Sequence, residues 1–308
     1  MLSSNRQVKS FLQSPYWAEF QRLLGREVYH LDGDCIQARA YEMPMRFGLQ
    51  QIYVPYGPDL DNHDLGKCGR DPMRNFIEWL EKSAREVGAF VAVVEPRSDY
   101  IGQLLIGHGF EHRRRSIQPS KTVVLDLQPS LSDIESGFHQ KLRYNIRIAK
   151  KHGINIVESD DIEPFLKLLK ETTERDNFSA HDTDYYRQMC KMFLGHAIMP
   201  VKIIYAMNGD KYCASALVLE YEDTGYYLHG ASSYEFRSMM APQLMHWEII
   251  QDLKGRDFKK YDLWGIDAIK YPGVTRFKLQ FGGSVIEYPG AYVLPVNKLL
   301  YWLYSKIR

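Results

Sequence analysis

Lys278 directly follows Phe277 and comes shortly before Gly282-Gly283, in the run YDLWGIDAIKYPGVTRFKLQFGG at residues 261 to 283. By residue type alone it reads as a surface lysine on a strand. The alternative is a fixed cation placed where negative charge develops. Acyl transfer uses such a cation: it stabilises the oxyanion of a tetrahedral intermediate, an effect worth about 3 to 4 kcal/mol per preorganised donor. Asp262 follows Tyr261 inside an apolar strand-like segment, where a carboxylate must find partners or shift its pKa. Glu95 ends a second apolar run, AFVAVVEPR. Either acid can take a proton from an attacking amine if it comes within hydrogen-bond reach, and either is equally a structural carboxylate.

Three other stretches offer binding groups. In HDTDYY (181 to 186), Asp182 or Thr183 caps a helix that carries Tyr185 and Tyr186 on its first turn. This is a capped helix with half-buried tyrosines, or a cleft rim with His181 and Tyr185 where the helix N-terminus suits an anion. The run GASSYEFRSMMAP (230 to 242) places Arg237 in a long loop with little to bury, which lines a surface groove. Lys141, Arg143, Arg147, Lys150 and Lys151 crowd one helix, with Tyr144 and Ile148 between them. They form either a solvated basic face or a patch that holds RNA phosphates.

The elements that must position these groups alternate in type. The spacing predicts helices over 72–87, 98–106, 133–152, 161–175, 183–194 and 241–255, with Gly88, Gly107 and Gly109 as stops. Apolar runs predict strands at 89–97, 122–127, 154–158, 201–206, 213–221, 225–230 and 260–264. The class is therefore α/β (α+β) with mixed sheets. A helix, a strand ending near an acid (Glu95, Asp262) and a Gly-containing turn occur in each half, as a duplicated domain would give.

Length and composition bound the rest. The chain has 308 residues, enough for two domains or one large one, and is 45% hydrophobic. With 39 Lys and Arg against 38 Asp and Glu, net charge alone calls for no polyanion partner. Cysteines 35, 68, 190 and 213 show no CxxC pairing or zinc spacing and read as reduced thiols. No window is apolar enough for a signal peptide or a membrane span, so a cytoplasmic enzyme or binding protein is expected. Nucleotide signatures fail: no GxxxxGK[ST] is present, nor a GxGxxG after a strand. Gln103 to Gly109 is one residue too long for the phosphate cradle of coenzyme-A acetyltransferases, which discounts acetyl-CoA.

Six stretches together resemble the FemABX family, peptidyltransferases that use aminoacyl-tRNA to extend peptidoglycan precursors. They are FLQSPYW, QPSKTVVLDL, KLRYNIRIAKKHGINIV, ERDNFSAHDTDYY, YYLHGASSYEFRSMMAPQLMHWEII and the run quoted first. They follow the family's order over nearly the whole chain. No long helical insertion is present, so the chain is similar to the compact FemX-like form without a coiled-coil arm.

The resemblance implies two tandem GCN5-type N-acetyltransferase-like domains. The first would comprise 1–118 plus 286–308, the C-terminal segment completing it, and the second 119–285. It implies Phe277-Lys278 as the catalytic pair, with Lys278 stabilising the oxyanion; a lysine in a cleft is expected to contribute little packing, and so little to fold stability. Glu95 takes the place of a proposed base. Tyr185 matches a precursor-cleft tyrosine, His181 stands for a phosphate-binding arginine and His229 for a tyrosine, while the family's N-terminal phosphate-binding lysine has no clear equivalent near Glu19 to Gln21. The implied partners are aminoacyl-tRNA and a UDP-linked or lipid-linked muropeptide, the latter bringing peripheral membrane association, and no metal or cofactor is implied. An N-acyltransferase of the same fold acting on another amine and a non-catalytic RNA- or precursor-binding protein are the alternatives.

Overall fold

The structure, a computed structural model, describes residues 10–60, 71–113, 115–176 and 179–307. It divides into two compact units: one runs to Ser120 and resumes at Glu287, and the other is Lys121–Ile286. The first unit begins with α1 (Pro15–Leu23), β1 (Val28–Asp32), β2 (Ile36–Pro44), β3 (Gln50–Pro55), β4 (Asp59–Leu60), α2 (Pro72–Glu86), β5 (Val91–Glu95), α3 (Asp99–Gly107) and β6 (Glu111–Arg113). Next come β7 (Lys121–Asp126), α4 (Leu131–Ser136), α5 (Gln140–Lys151), β8 (Asn155–Ser159), α6 (Glu163–Asp176), α7 (Thr183–Phe193), β9 (Val201–Asn208), β10 (Lys211–Tyr221) and β11 (Thr224–Ser232). The chain then forms α8 (Ala241–Gly255), β12 (Lys260–Gly265), α9 (Pro272–Leu279), β13 (Ser284–Glu287), β14 (Ala291–Pro295) and α10 (Lys298–Ile307).

Each unit is built on one mixed sheet. In the first, the order is β1-β2-β3-β5-β14-β6, so the returning strand β14 lies between β5 and β6 and pairs antiparallel with both. Every residue of β5 is buried. Ala92 and Val94 face a core shared with α2 and α3, whereas Val91 and Val93 face a second cluster that takes in α10. That period-2 division across two covered faces explains a continuous apolar run.

The second sheet has the order β13-β7-β12-β11-β10-β9-β8. Ile204 and Ala206 face α5 and α8, while the intervening Tyr205 faces α6, where its hydroxyl accepts the Phe165 N–H at 3.1 Å. Both sheets contain a parallel pair flanking a helical crossover, β3 with β5 around α2 and β11 with β12 around α8. The pairs differ in length. The β3–β5 ladder stays in register to Pro55↔Glu95, but the β11–β12 ladder ends at Tyr226↔Asp262.

The structure departs from the periodicity reading in three places. The helix predicted over 133–152 is two helices. Phe138 sits at the break and is buried edge-on to Trp247 and Phe281, and the His139 ring Nδ1 caps α5 by accepting the Lys141 N–H. The Phe277-Lys278 pair is on the last turns of α9, so the strand reading of Lys278 is corrected. Of the cysteines, Cys190 and Cys213 are free and buried, but Cys35 is disulfide-bonded, which corrects the expectation of a reduced thiol there; sequence spacing carries no trace of such a pairing. Cys68 lies outside the described residues.

Candidate active site

A cleft of about 830 Å³ opens in the second unit where β11 and β12 stop pairing. Its lining takes Tyr227 to Ser232 from β11, Gly265 from the end of β12, Phe277 and Lys278 from α9, and His181 and Tyr186 from the start of α7. This stretch of β11 still pairs with β10 but has left β12, and the volume suits a small-molecule or peptide end.

Lys278 forms part of the cleft wall and is 6% exposed. Its Nζ donates to the Gly265 carbonyl at 2.8 Å and lies 5.4 Å from the centre of the Tyr227 ring. Among the described residues its other N–H groups have no hydrogen-bond partner, so they remain available to a ligand. Burial lowers its pKa from 10.5 to about 8, and the Asp262 charge opposes that shift. At neutral pH the group is still mostly an ammonium. A buried cation of this kind costs stability.

The glycine pair explains how α9 is held. A Cβ on Gly282 would meet the Gly137 carbonyl oxygen at 2.2 Å, and one on Gly283 would meet the Val124 oxygen at 2.6 Å. The His139 N–H also donates to the Gln280 carbonyl at 2.8 Å. The end of α9 is therefore pinned against the α4–α5 break and β7 by a close backbone approach that only glycine permits.

Asp262 does not line the cleft. Its Oδ1 accepts the Thr122 hydroxyl and, at 2.8 Å, the Trp264 N–H. The β12–β7 register shifts between Asp262 and Gly265, and Trp264 adopts φ 61°. The carboxylate thus clasps a β-bulge, and that bulge aims the Gly265 carbonyl at Lys278. Both hydrogen bonds suit a positioning carboxylate better than a proton acceptor.

Two buried histidines near Lys278 are neutral. Burial, then the His181 and Lys278 charges, push the His229 pKa down to about 3. His246, fully buried, also falls to about 3, by burial and then by Lys278. Its Nδ1 lies 2.8 Å from the Tyr261 hydroxyl, and its Nε2 has no hydrogen-bond partner among the described residues. Arg175 lines the cleft but is held by both Asp176 oxygens, at 2.7 and 2.8 Å. Among the described residues no group of three or more His, Cys, Asp and Glu converges as metal ligands would.

Of the residues expected at a site, His181, His229, Phe277 and Lys278 share the cleft. Tyr185 stands behind His181, stacked on its ring at 3.9 Å, and Tyr186 takes the lining position. Arg237 is exposed and folds over Tyr234, 3.8 Å above its ring, outside the lining. Glu95 belongs to the first unit, where its carboxylate accepts the Tyr53 hydroxyl at 2.6 Å and the N–H groups of Ile117 and Gln118; burial raises its pKa. On α5, Lys141, Arg147, Lys150 and Lys151 are exposed beside Tyr144, but Arg143 donates to the Ser136 and Phe138 carbonyls and closes the end of α4. Sequence reasoning missed Tyr186, Tyr227, His246 and Gly265. The pair Tyr226-Tyr227 in an apolar strand was the available signal for one of them.

The FemAB family's model matches residues 101–212 and 201–308. Aminoacyltransferase FemB of Staphylococcus epidermidis is 20% identical, across 90% of this chain and 86% of its own. That alignment occupies 364 positions against a 308-residue chain, so FemB carries stretches this chain lacks. The lipid II:glycine glycyltransferase of Staphylococcus haemolyticus is 21% identical across 96% and 90%. Among solved structures, FemX superposes with a TM-score of 0.80 at 19% identity, covering 96% and 94%. A tandem GNAT protein from the clavulanic acid biosynthesis pathway gives 0.54 at 10%, covering 85% and 79%. These likenesses show the fold: two tandem acetyltransferase-like units with mixed sheets.

Proposed function

This chain belongs to the FemAB family, and from that premise we propose a cytoplasmic aminoacyltransferase that builds the peptidoglycan cross-bridge. It moves an amino acid from aminoacyl-tRNA to a primary amine on the stem peptide of a UDP-linked or lipid-linked precursor. The relatives named aminoacyltransferase and lipid II:glycine glycyltransferase support the reaction class. The single observation that carries the reading is Lys278, a buried cation in a cleft wall beside the neutral His229 and His246.

The amine nitrogen attacks the ester carbonyl carbon. A C–N bond forms and the carbonyl electrons move onto oxygen, where the Lys278 ammonium donates a hydrogen bond to the oxyanion. Collapse breaks the C–O bond to the ribose, and the leaving oxygen takes up the proton that the amine gives away. Asp262 keeps Lys278 charged and, through the bulge, in place. His181 and Tyr186 on one side and His229 on the other frame the acceptor end. Lys141, Arg147, Lys150 and Lys151 bind tRNA phosphates without reading sequence.

Incubation with labelled aminoacyl-tRNA and a muropeptide should transfer the label, and acyl-CoA should give none. Transfer from acyl-CoA alone would assign the fold to another N-acyl reaction.

A further inference from the structure

The last helix, α10, seats one face and leaves the other in solvent. Leu300, Tyr301 and Tyr304 pack into the cluster formed around Val91, Val93 and Val293. Arg113 donates to the Tyr301 hydroxyl, which donates in turn to Glu111 at 3.2 Å. The opposite face reads i, i+3, i+4: Leu299 is 69% exposed, Trp302 55% and Leu303 44%. Lys298 opens the helix, and Lys306 closes that face with its Nζ 5.9 Å from the Trp302 ring.

A second segment of the same unit shares this character. The turn between β2 and β3 packs into the same cluster through Met45 and Leu49, yet it holds Phe47 76% exposed, at φ 65°, beside exposed Arg46. Neither segment, 45–49 nor 298–307, contains an acidic residue. A single exposed hydrophobe needs no explanation. Four on two segments anchored in one cluster, accompanied only by cations, describe a surface built to be covered.

We propose that Phe47, Leu299, Trp302 and Leu303 form a docking surface for an anionic lipid bilayer, with Arg46, Lys298 and Lys306 on its phosphate headgroups. Tryptophan and leucine on one face with lysines beside them match a helix lying in the bilayer interface, since lysine stems reach past apolar rings to the headgroups. Cations near an anionic leaflet add attraction that falls with salt. A second copy of the chain is the poorer occupant, because pairing this face with itself brings the same cations together. No helix among the described residues is long and apolar enough to cross a membrane, so the contact is peripheral. The proposal does not rest on the aminoacyl-transfer reading.

The test is co-sedimentation of the full chain with vesicles of phosphatidylglycerol and phosphatidylcholine, or of phosphatidylcholine alone, with neither precursor nor tRNA present. The anionic vesicles should bind the protein, added salt should release it, and tryptophan emission should shift to the blue in the wild type but not in Trp302→Phe. Leu299→Ser with Leu303→Ser should lower partition about tenfold or more at an unchanged melting temperature, because both side chains are exposed. Arg46→Glu with Lys306→Glu should weaken binding to the anionic vesicles alone. Failure to co-sediment, serine variants that bind like the wild type, or self-association that the serine variants abolish without vesicle binding would each overturn the proposal.

Discussion

Replacing Lys278 with methionine separates what that side chain does for the reaction from what it costs the fold. Methionine fills similar space without the charge. Burial brings the lysine from 10.5 to about 8, which means the folded protein disfavours the ammonium by ~3 kcal/mol. Removing the charge relieves that cost at neutral pH, while leaving the Gly265 carbonyl unpaired costs about 1 to 3 kcal/mol. The two nearly cancel, so the informative quantity is the pH dependence. Between about pH 8 and 10.5 the unfolded chain still binds a proton that the folded chain has released, so wild-type stability rises with pH across that window. The variant lacks this gain, and the wild type should advance on it by up to ~3 kcal/mol. Urea unfolding of both proteins at the two ends of the window measures the difference, and a difference that stays constant would refute the buried-cation placement. Turnover should fall about a hundredfold or more with little change in either Michaelis constant, as expected for a donor that acts in the transition state. Arginine should rescue poorly, since its planar fork cannot put one compact charge in the same place. A methionine variant that keeps most of its single-turnover rate would end the catalytic assignment.

Asp262→Asn removes the charge that holds the Lys278 pKa up, so the alkaline loss of transfer activity should begin at lower pH than in the wild type; an unmoved limb would detach Asp262 from Lys278. Gly283→Ala drives a Cβ into the Val124 carbonyl and should cost about 1 to 3 kcal/mol in chemical denaturation, with kcat falling because the end of α9 shifts. Reversing Lys141, Arg147 and Lys151 to Glu should weaken tRNA binding and flatten its salt dependence, by about 0.7 to 0.9 in the log–log slope for each phosphate no longer neutralised; an unchanged slope removes α5 from the tRNA path. Tyr185→Ala should unseat His181 and raise the acceptor's Michaelis constant while leaving that for tRNA alone, whereas a rise in both with a lower melting temperature would make the tyrosine a core residue.

The alternation of strand and helix, the capped start of α7 and the run carrying the glycine pair were legible in the sequence, because each depends on residues a few positions apart. Periodicity of 2 or 3.6 and a helix cap are local facts, and the chain states them directly. Family resemblance singled out Lys278 and His229. What periodicity could not show is that Lys278 lies on a helix and is buried. Its neutral neighbour His246 and its carbonyl partner Gly265 meet it only when α8, α9 and β12 are packed together. What the Asp262 carboxylate touches was decided later still. Its clasp on Thr122 joins residues 140 positions apart, and an apolar strand holding one aspartate reads the same whether that acid is a base or a brace. The split of the 133–152 helix follows the same logic: its break is where Phe138 enters the core and Gly282 meets Gly137. Local spacing names the groups that can do chemistry, but burial, and with it charge state and reach, belongs to the assembled sheet.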